Sequence, residues 1–206
     1  MLTLAIDTSS AVAAAVIKDG VASVQATFAP RGHAELLADH VQSALDAANV
    51  KGREVDRVIV GTGPAPFTGL RVGIVTARAL ARAWGVPLLG ICSLDAMGAQ
   101  AGENAADVTV VTDARRREVY WATYRGGVRT GEPAVAAPAD VPVAGIVVGR
   151  GATLYPEVFA DEPALVDPAP EWLAVVADRA IASGHRDFPT EPLYLRRPDV
   201  HGVPGA

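Results

Sequence analysis

Cysteine, aromatic residues and long apolar runs are scarce in this chain of 206 residues. Because Cys92 is the single cysteine, no internal disulfide can form, which favours a reducing compartment. No apolar run has the length of a membrane span, and the sequence at Met1 begins like a strand, without the basic region of a signal peptide. These absences predict a cytoplasmic protein with no membrane contact.

A surplus of basic residues is also lacking. The net charge of -5 argues against strong unassisted binding to nucleic acid, which needs a basic surface. It leaves open a protein that meets RNA through a basic partner. Half of the residues are apolar and 20% are charged, which is enough to bury a core rich in Ala, Val and Gly. This composition predicts an α/β protein with one large domain or two small ones.

The most distinctive segment is 61–71, which reads Gly-Thr-Gly-Pro-Ala-Pro-Phe-Thr-Gly-Leu-Arg. It lies between a buried strand and a helix that runs to about Trp84, so its backbone N–H groups can hold an anion or order a contact surface. The helix is apolar or small except on one narrow arc, which carries Arg71, Arg78 and Arg82. Two interpretations remain open, a helix fully buried within the chain and a helix that contacts a partner.

A weak internal repeat organises the chain. A strand over 3–7 ends at Asp7, followed by a polar turn, a strand over 12–18 and Gly20. A strand over 109–113 ends at Asp113, followed by a turn over 114–117, a strand over 118–125 and Gly126, at the same offsets. Chance similarity is one interpretation; the other is a pair of related lobes. We predict an N-terminal lobe over 1–102, which carries the partner-binding helices, and a C-terminal lobe over 103–206.

The remaining elements follow from apolar periodicity. They comprise strands over 21–28, 55–61, 87–92 and 146–148, and helices over 33–49, 93–101, 171–183 and shortly after Gly151. The stretch over 133–142 is rich in proline, and residues 198–206 are expected to be loosely held.

Two lobes that open with strand, Asp, turn and strand resemble the actin, hexokinase and sugar-kinase superfamily, in which the two turns hold ATP phosphates. The ordered motifs are similar to the TsaB (YeaZ) family in particular, over nearly the whole chain. They are Ala5–Ser9, His33–Leu37, Gly61–Arg71, Asp113–Tyr120 and Pro192–Arg196. The family pattern has Gly-Ser where this chain has Ala65-Pro66, and a proline removes one N–H donor. The resemblance implies an α/β protein with the two-lobed actin-like ATPase (ASKHA, ribonuclease H-like) fold and duplicated lobes.

The resemblance also implies a function. TsaB proteins are the non-catalytic partner of the paralogous enzyme TsaD and, with the ATPase TsaE, support threonylcarbamoyl transfer to the adenosine next to the anticodon of tRNAs reading ANN codons. The chain would then be no enzyme by itself, would pair with itself when alone, and would meet tRNA only through the complex. TsaB and TsaD meet through the helices that here span 33–49 and 68–84. The candidate interface residues are His33, Leu36, Leu37, His40, Val41, Leu70, Arg71, Gly73, Ile74, Val75, Ala77 and Arg78.

The resemblance implies no cofactor of its own for this chain; ATP or ADP and a metal are expected on partner subunits or at the shared interface. The catalytic paralogue carries two metal-binding His residues four apart, where this chain has Ser93 and Met97. His33 and His40 are seven apart on one side of a helix, so a metal pair is conceivable, but His40 as an extension of the apolar stripe is favoured. No metal site and no catalytic residue are predicted.

A vestigial nucleotide cleft is the remaining candidate site. Its residues are Asp7, Thr8, Ser9, Ser10, Gly61, Gly63, Asp113 and Arg115. Each Asp at a strand end is interpreted first as a cap of the following turn. The arginine run over 115–117 is interpreted first as a solvated turn, and the alternative is that it attracts phosphate, or tRNA in a complex. Two rival functions remain, a self-sufficient ATPase or sugar kinase and a glycoprotease-like metallopeptidase.

Overall fold

The computed structural model describes residues 1–18, 20–27, 33–159 and 163–196, apart from the side chains of 25–27, 33 and 34. Two five-stranded sheets form its framework. The strands are β1 Thr3–Asp7, β2 Val12–Lys18, β3 Val21–Thr27, β4 Arg57–Gly61, β5 Leu88–Ile91, β6 Asp107–Asp113, β7 Val119–Arg125, β8 Val128–Arg129, β9 Ala134–Ala136 and β10 Ile146–Val148. The helices are α1 His33–Ala47, α2 Phe67–Trp84, α3 Ser93–Gly102, α4 Arg150–Leu154, α5 Pro156–Phe159 and α6 Pro170–Ala182.

The first sheet has the order β3-β2-β1-β4-β5 and is covered on both faces. Alternation along β1 sends Leu4 and Ile6 to the face that α1 and α2 cover, and Ala5 to the opposite face, where α6 packs. Every residue of β1 is buried because both faces carry helices. The resulting three layers place α1 and α2 side by side on one outer surface of the protein.

The second sheet repeats the strand pattern of the first. Strand β1 pairs antiparallel with β2 and parallel with β4, and β6 likewise pairs antiparallel with β7 and parallel with β10. Helix α3 covers one face through Leu94 and Met97, and α4 and α5 cover the other through Ala152 and Phe159. The strand arrangement thus bears out the predicted repeat of strand, turn and strand.

The chain returns to its first sheet near the end. Leu173, Ala174 and Ala177 of α6 are buried against Ala5 and Ile59. Arg57, itself buried, forms an ion pair of 2.6 Å with Asp178 of the same helix. The core of the first lobe therefore includes residues far beyond position 102, and α6 fixes the two halves of the sequence together.

Most predicted elements occur with shifted ends. The helix predicted over 33–49 ends at Ala47, since Asn49 takes the left-handed conformation with φ 51. The strand predicted from 55 begins at Arg57, because Asp56 first hydrogen-bonds back to Leu2. Helix α5 and strands β8 and β9 were not predicted, and Phe28 and residues 198–206 lie outside the described part. Within the described ranges, no helix is long and apolar enough to cross a membrane.

Candidate functional site

Helix α2 has one buried stripe and one exposed face. It begins directly after Pro66 and ends at Gly85, whose φ of 70 stops the helix while its N–H donates to the Ala81 carbonyl. The buried stripe consists of Leu70, Gly73, Ile74, Ala77 and Ala81. The exposed face carries Phe67, Arg71, Val75, Arg78 and Arg82, with Val75 63% exposed and Phe67 42%. The fully buried helix that the sequence left open is therefore wrong.

The residues of the predicted interface differ in their exposure. Six of them are buried in the chain's own core; they are Leu37, Val41, Leu70, Gly73, Ile74 and Ala77. Arg71, Val75 and Arg78 are exposed, and Leu36 and His40 of α1 are partly buried. His33 begins α1, but its side chain lies outside the described part. The interface itself stays a prediction.

Small residues at every fourth position of α2 are buried against the chain's own core; they are Gly73, Ala77 and Ala81. A Cβ at Gly73 would overlap the side chain of Thr8 at the end of β1. The Thr8 hydroxyl donates at 2.9 Å to the carbonyl of Gly69, one turn earlier in the helix. Gly73 thus lets the start of α2 approach the first turn of the chain, and it is buried there.

A C-terminal strap, defined here as residues 190–196, crosses the exposed start of α2. The Leu193 N–H donates to Thr62 at 2.8 Å. The ring of Tyr194 stacks on Phe67 with centroids 5.2 Å apart, and its hydroxyl accepts from Arg71 Nε at 2.8 Å. The Arg71 guanidinium also covers the Phe67 ring at 3.4 Å, a cation–π contact. The strap therefore orients the side chains at the start of the exposed face.

The strap continues to the second lobe. Arg78 of α2 holds its beginning by hydrogen bonds to Thr190 Oγ1 at 2.9 Å and to the Thr190 carbonyl at 3.0 Å. Arg196 at its end donates to the Ala114 carbonyl at 3.2 Å and pairs with Glu118. The sequence predicted no role for Phe67 or Tyr194, although they lie within the motifs Gly61–Arg71 and Pro192–Arg196.

Asp7 lies at the centre of the first turn. Its Oδ1 accepts hydrogen bonds from the N–H and hydroxyl of Ser9, at 2.8 and 2.6 Å. Its Oδ2 faces Gly61, where a Cβ would overlap it, and has no hydrogen-bond partner of good geometry among the described residues, although Ser93 is near. Burial raises the pKa of the Asp7 carboxyl, and the hydroxyls of Ser9 and Ser93 oppose that rise.

The hydroxyl groups of the first turn are engaged by the protein. Thr8 donates to Gly69 and Ser9 to Asp7, and Ser10 donates to Asp167 Oδ1 at 2.5 Å. The Asp167 carboxylate also accepts hydrogen bonds from Arg150 of α4, at 3.0 Å from Nε and 2.5 Å from Nη2. The side-chain hydroxyls of residues 8–10 therefore already serve protein acceptors.

The second turn has an unusual backbone. Arg115, Arg116 and Arg117 have φ values of 63, 55 and 61, in the left-handed region that residues with a Cβ rarely adopt. Asp113 caps the turn, as the sequence predicts, by accepting the Arg115 N–H at 2.7 Å. The structure brings Asp7, Thr8, Ser9, Ser10, Gly61 and Gly63 together, and Asp113 with Arg115 forms this separate turn.

Ser93 and Met97 do not form a paired ligand site. Ser93 is buried and its Oγ accepts the Gly63 N–H at 3.1 Å, whereas Met97 packs in the core of the second lobe. In the part of the chain that the structure describes, no three His, Cys, Asp or Glu side chains are grouped so that they could hold a metal ion. Whether the chain binds a metal or nucleotide stays a prediction.

A cavity of about 470 Å³ opens beside β5 and the strap, and its walls include Cys92, Asp95 and Arg129. Burial raises the pKa of the Cys92 thiol to about 12, helped by the Asp95 carboxylate, so that a thiolate nucleophile is disfavoured. Asp95 accepts a hydrogen bond from the Tyr124 hydroxyl at 2.9 Å and pairs with Arg129 at 3.3 Å. Two charged groups of this cavity, Asp95 and Arg129, are thus paired with each other.

The chain is similar in sequence to known proteins. Residues 17–151 match the model of TsaD, tRNA N6-adenosine threonylcarbamoyltransferase. The chain is 31% identical to the tRNA threonylcarbamoyladenosine biosynthesis protein TsaB of Escherichia coli, over 95% of both chains. It is 44% identical to an uncharacterised protein of Mycobacterium tuberculosis, over 96% of this chain and 92% of the relative.

A solved structure agrees with the sequence comparison. YeaZ from Pseudomonas aeruginosa superposes with a TM-score of 0.80 at 31% identity, over 94% of this chain and 99% of that one. The predicted two-lobed actin-like fold is confirmed by this likeness together with the TsaD match. By full-length similarity to TsaB and YeaZ, this chain belongs to the TsaB (YeaZ) family.

Proposed function

We propose that this chain is a non-catalytic activating subunit in the biosynthesis of threonylcarbamoyladenosine in tRNA, and that it acts by binding a TsaD-type paralogue. The observation that carries the proposal is the exposed face of α2, which combines Val75, Phe67 and Arg71 on one side of a rigid helix. The names of the relatives in Escherichia coli and other bacteria give the pathway.

The composition of this face suits a protein partner. Val75 lies in the middle of the helix with almost two thirds of its surface exposed, and it follows the exposed Phe67 and Arg71 at a spacing of four residues, so the three side chains share one side of the helix. Arg71 and Phe67 are residue types enriched in interface centres, and the strap already holds them in one conformation. A partner would therefore lose little side-chain entropy in ordering them.

The first turn supports a role without catalysis. The hydroxyls of Thr8, Ser9 and Ser10 each donate to a protein acceptor, and Pro66 offers no N–H at the start of α2. A turn whose hydroxyl donors are already used offers fewer hydrogen bonds to a phosphate. We propose accordingly that the chain carries no cofactor of its own, and that ATP or ADP and the metal reside on partner subunits or at the shared interface.

Further parts of the proposal concern assembly. The ATPase TsaE joins the complex, the chain pairs with itself through the same α2 face when the paralogue is absent, and the complex works on tRNA in the cytoplasm. Because one surface would serve both pairings, self-association and binding of the paralogue compete with each other.

Reconstitution tests the proposal. The chain, its TsaD-type paralogue and TsaE are assayed alone and in combination for transfer of a labelled threonylcarbamoyl group to tRNA. We expect product when the chain and the paralogue are both present with TsaE, and none from this chain without the paralogue. Modification by the chain without the paralogue, or full activity of the paralogue without the chain, would contradict the proposed role. Tight ATP binding by the isolated chain would favour a self-sufficient ATPase.

A further inference from the structure

The turn that follows β6 carries three consecutive arginines in a left-handed conformation. Arg115, Arg116 and Arg117 have φ values between 55 and 63, and all three are exposed. For residues with a Cβ this conformation is unfavourable and normally occurs at single positions, where Gly, Asn or Asp are the common choices. A run of three long side chains here is therefore not what folding alone would select.

The rest of the structure holds this turn firmly. Asp113 accepts the Arg115 N–H at 2.7 Å and pairs with its guanidinium at 3.1 Å. Ala114 and Glu118 close the turn through a backbone hydrogen bond of 3.1 Å, and Arg196 of the strap binds both of these residues. Because its base is anchored, the turn presents its arginines from a fixed position rather than from a flexible loop.

Charge distinguishes this turn from the rest of the chain. The whole chain carries a net charge of -5, yet three adjacent positive side chains are exposed here, between Asp113, which pairs with Arg115, and Glu118, which pairs with Arg196. The Arg115 side chain is 70% exposed although it pairs with Asp113, and Arg116 and Arg117 are exposed as well, so the turn offers several guanidinium groups to an anion. Guanidinium groups bind phosphate oxygens by paired hydrogen bonds and release counterions when they do so.

We propose that the 115–117 turn is a contact site for the phosphate backbone of RNA. The identity of that RNA as tRNA rests on the proposed function. The site adds affinity within the complex and reads no base sequence, since phosphate contacts fix position and not sequence. An acidic chain binds RNA weakly by itself, so the turn acts when a partner supplies the remaining basic surface.

The test measures binding of fluorescein-labelled tRNA to the assembled complex of this chain and its paralogue, between about 50 and 200 mM salt. The variant R115A/R116A/R117A should weaken binding by about tenfold or more and lower the salt slope by roughly two to three. The variant K18A/R53A/R125A removes the same charge from exposed positions elsewhere and should change both quantities much less. Equal effects in the two variants, or no effect in the first, would overturn the proposal.

Further measurements distinguish loss of charge from loss of folding, and an RNA contact from a protein contact. R115G/R116G/R117G removes the charge but suits the left-handed backbone, so it should lose tRNA affinity as the alanine variant does while remaining folded. Loss of co-elution with the paralogue in either variant would assign the turn to a protein contact and overturn the RNA site. If the wild-type chain fails to bind the paralogue, the proposed function fails. The same titration on the isolated chain at low salt then decides the RNA site, since binding that the arginine variants lose supports it and no binding overturns it.

Discussion

The ring of Tyr194 lies on the ring of Phe67 at a centroid distance of 5.2 Å and an interplanar angle of 21°, although 127 positions separate the two residues (194 − 67). Arg71 lies over Phe67 and donates to the Tyr194 hydroxyl. This arrangement connects the start of α2 to the strap, and through Arg196 to the second lobe.

Removing the Tyr194 ring should loosen this connection. We expect Tyr194→Ala to lower the free energy of unfolding by about 1 kcal/mol, because the stack on Phe67 and the contact of the Tyr194 ring with the Arg71 guanidinium are lost. Tyr194→Phe keeps the stack and loses the hydroxyl hydrogen bond at a partly exposed site, so its loss should be less than half as large. Urea unfolding of both variants measures this, and equal losses would show that the hydroxyl and not the ring stabilises the strap.

Gly61 should tolerate no side chain. A Cβ there would overlap Asp7 Oδ2 and crowd Ser93 Oγ, and both neighbours are buried. Gly61→Ala should therefore reduce the free energy of unfolding by about 2–3 kcal/mol. Gly131→Ala is the matched control, since no atom lies within 4 Å of its Cβ position. In an Asp7→Ala background the penalty at Gly61 should shrink, and an unchanged penalty would refute the overlap as its cause.

The buried Asp7 carboxyl should make stability depend on pH. Its pKa is raised by burial, so between its unfolded and folded pKa values the folded state holds a proton that the unfolded state has lost. Folding stability from this group therefore falls as pH rises through that window. Asp7→Asn removes the titration and should become more stable relative to wild type from pH 4 to pH 7. Melting temperatures across that range check the sign, and a difference that moves the other way would mean that Asp7 is stabilised as a carboxylate.

Local sequence signals predicted much of this structure. Strands ending in Asp7 and Asp113, the hairpin at Gly20 and the start of α2 follow from alternation, turn residues and proline, all within a few positions of one another. The repeat of β1 and β2 by β6 and β7 followed for the same reason. Each of these features depends on neighbours in the chain, which a sequence displays directly.

The sequence could not show which side of α2 is buried, nor which residues far apart in the chain are in contact. The period of α2 shows an apolar helix, but Ala77 and Val75 look alike in that pattern, and the structure buries the first and exposes the second. Gly73 is among the residues predicted for the interface, whereas a Cβ at this position would overlap Thr8 of its own chain. The strap joins residues more than a hundred positions apart, and no rule predicts arginines with positive φ.

The proposed role requires the exposed face of α2 to bind the paralogue. Val75→Arg puts a charge in the middle of that face without disturbing the core, whereas the same change at Ala77, which is 0% exposed, should unfold the chain. Val128→Arg is the control, because Val128 is 69% exposed on β8, away from α2.

Size-exclusion co-elution of these variants with the TsaD-type paralogue, after their melting temperatures have been shown to match wild type, tests that requirement most directly. We expect Val128→Arg to co-elute like wild type and Val75→Arg to elute apart from the paralogue. If a folded Val75→Arg variant co-elutes with the paralogue at the same protein concentration as wild type, the proposed contact through the α2 face is contradicted.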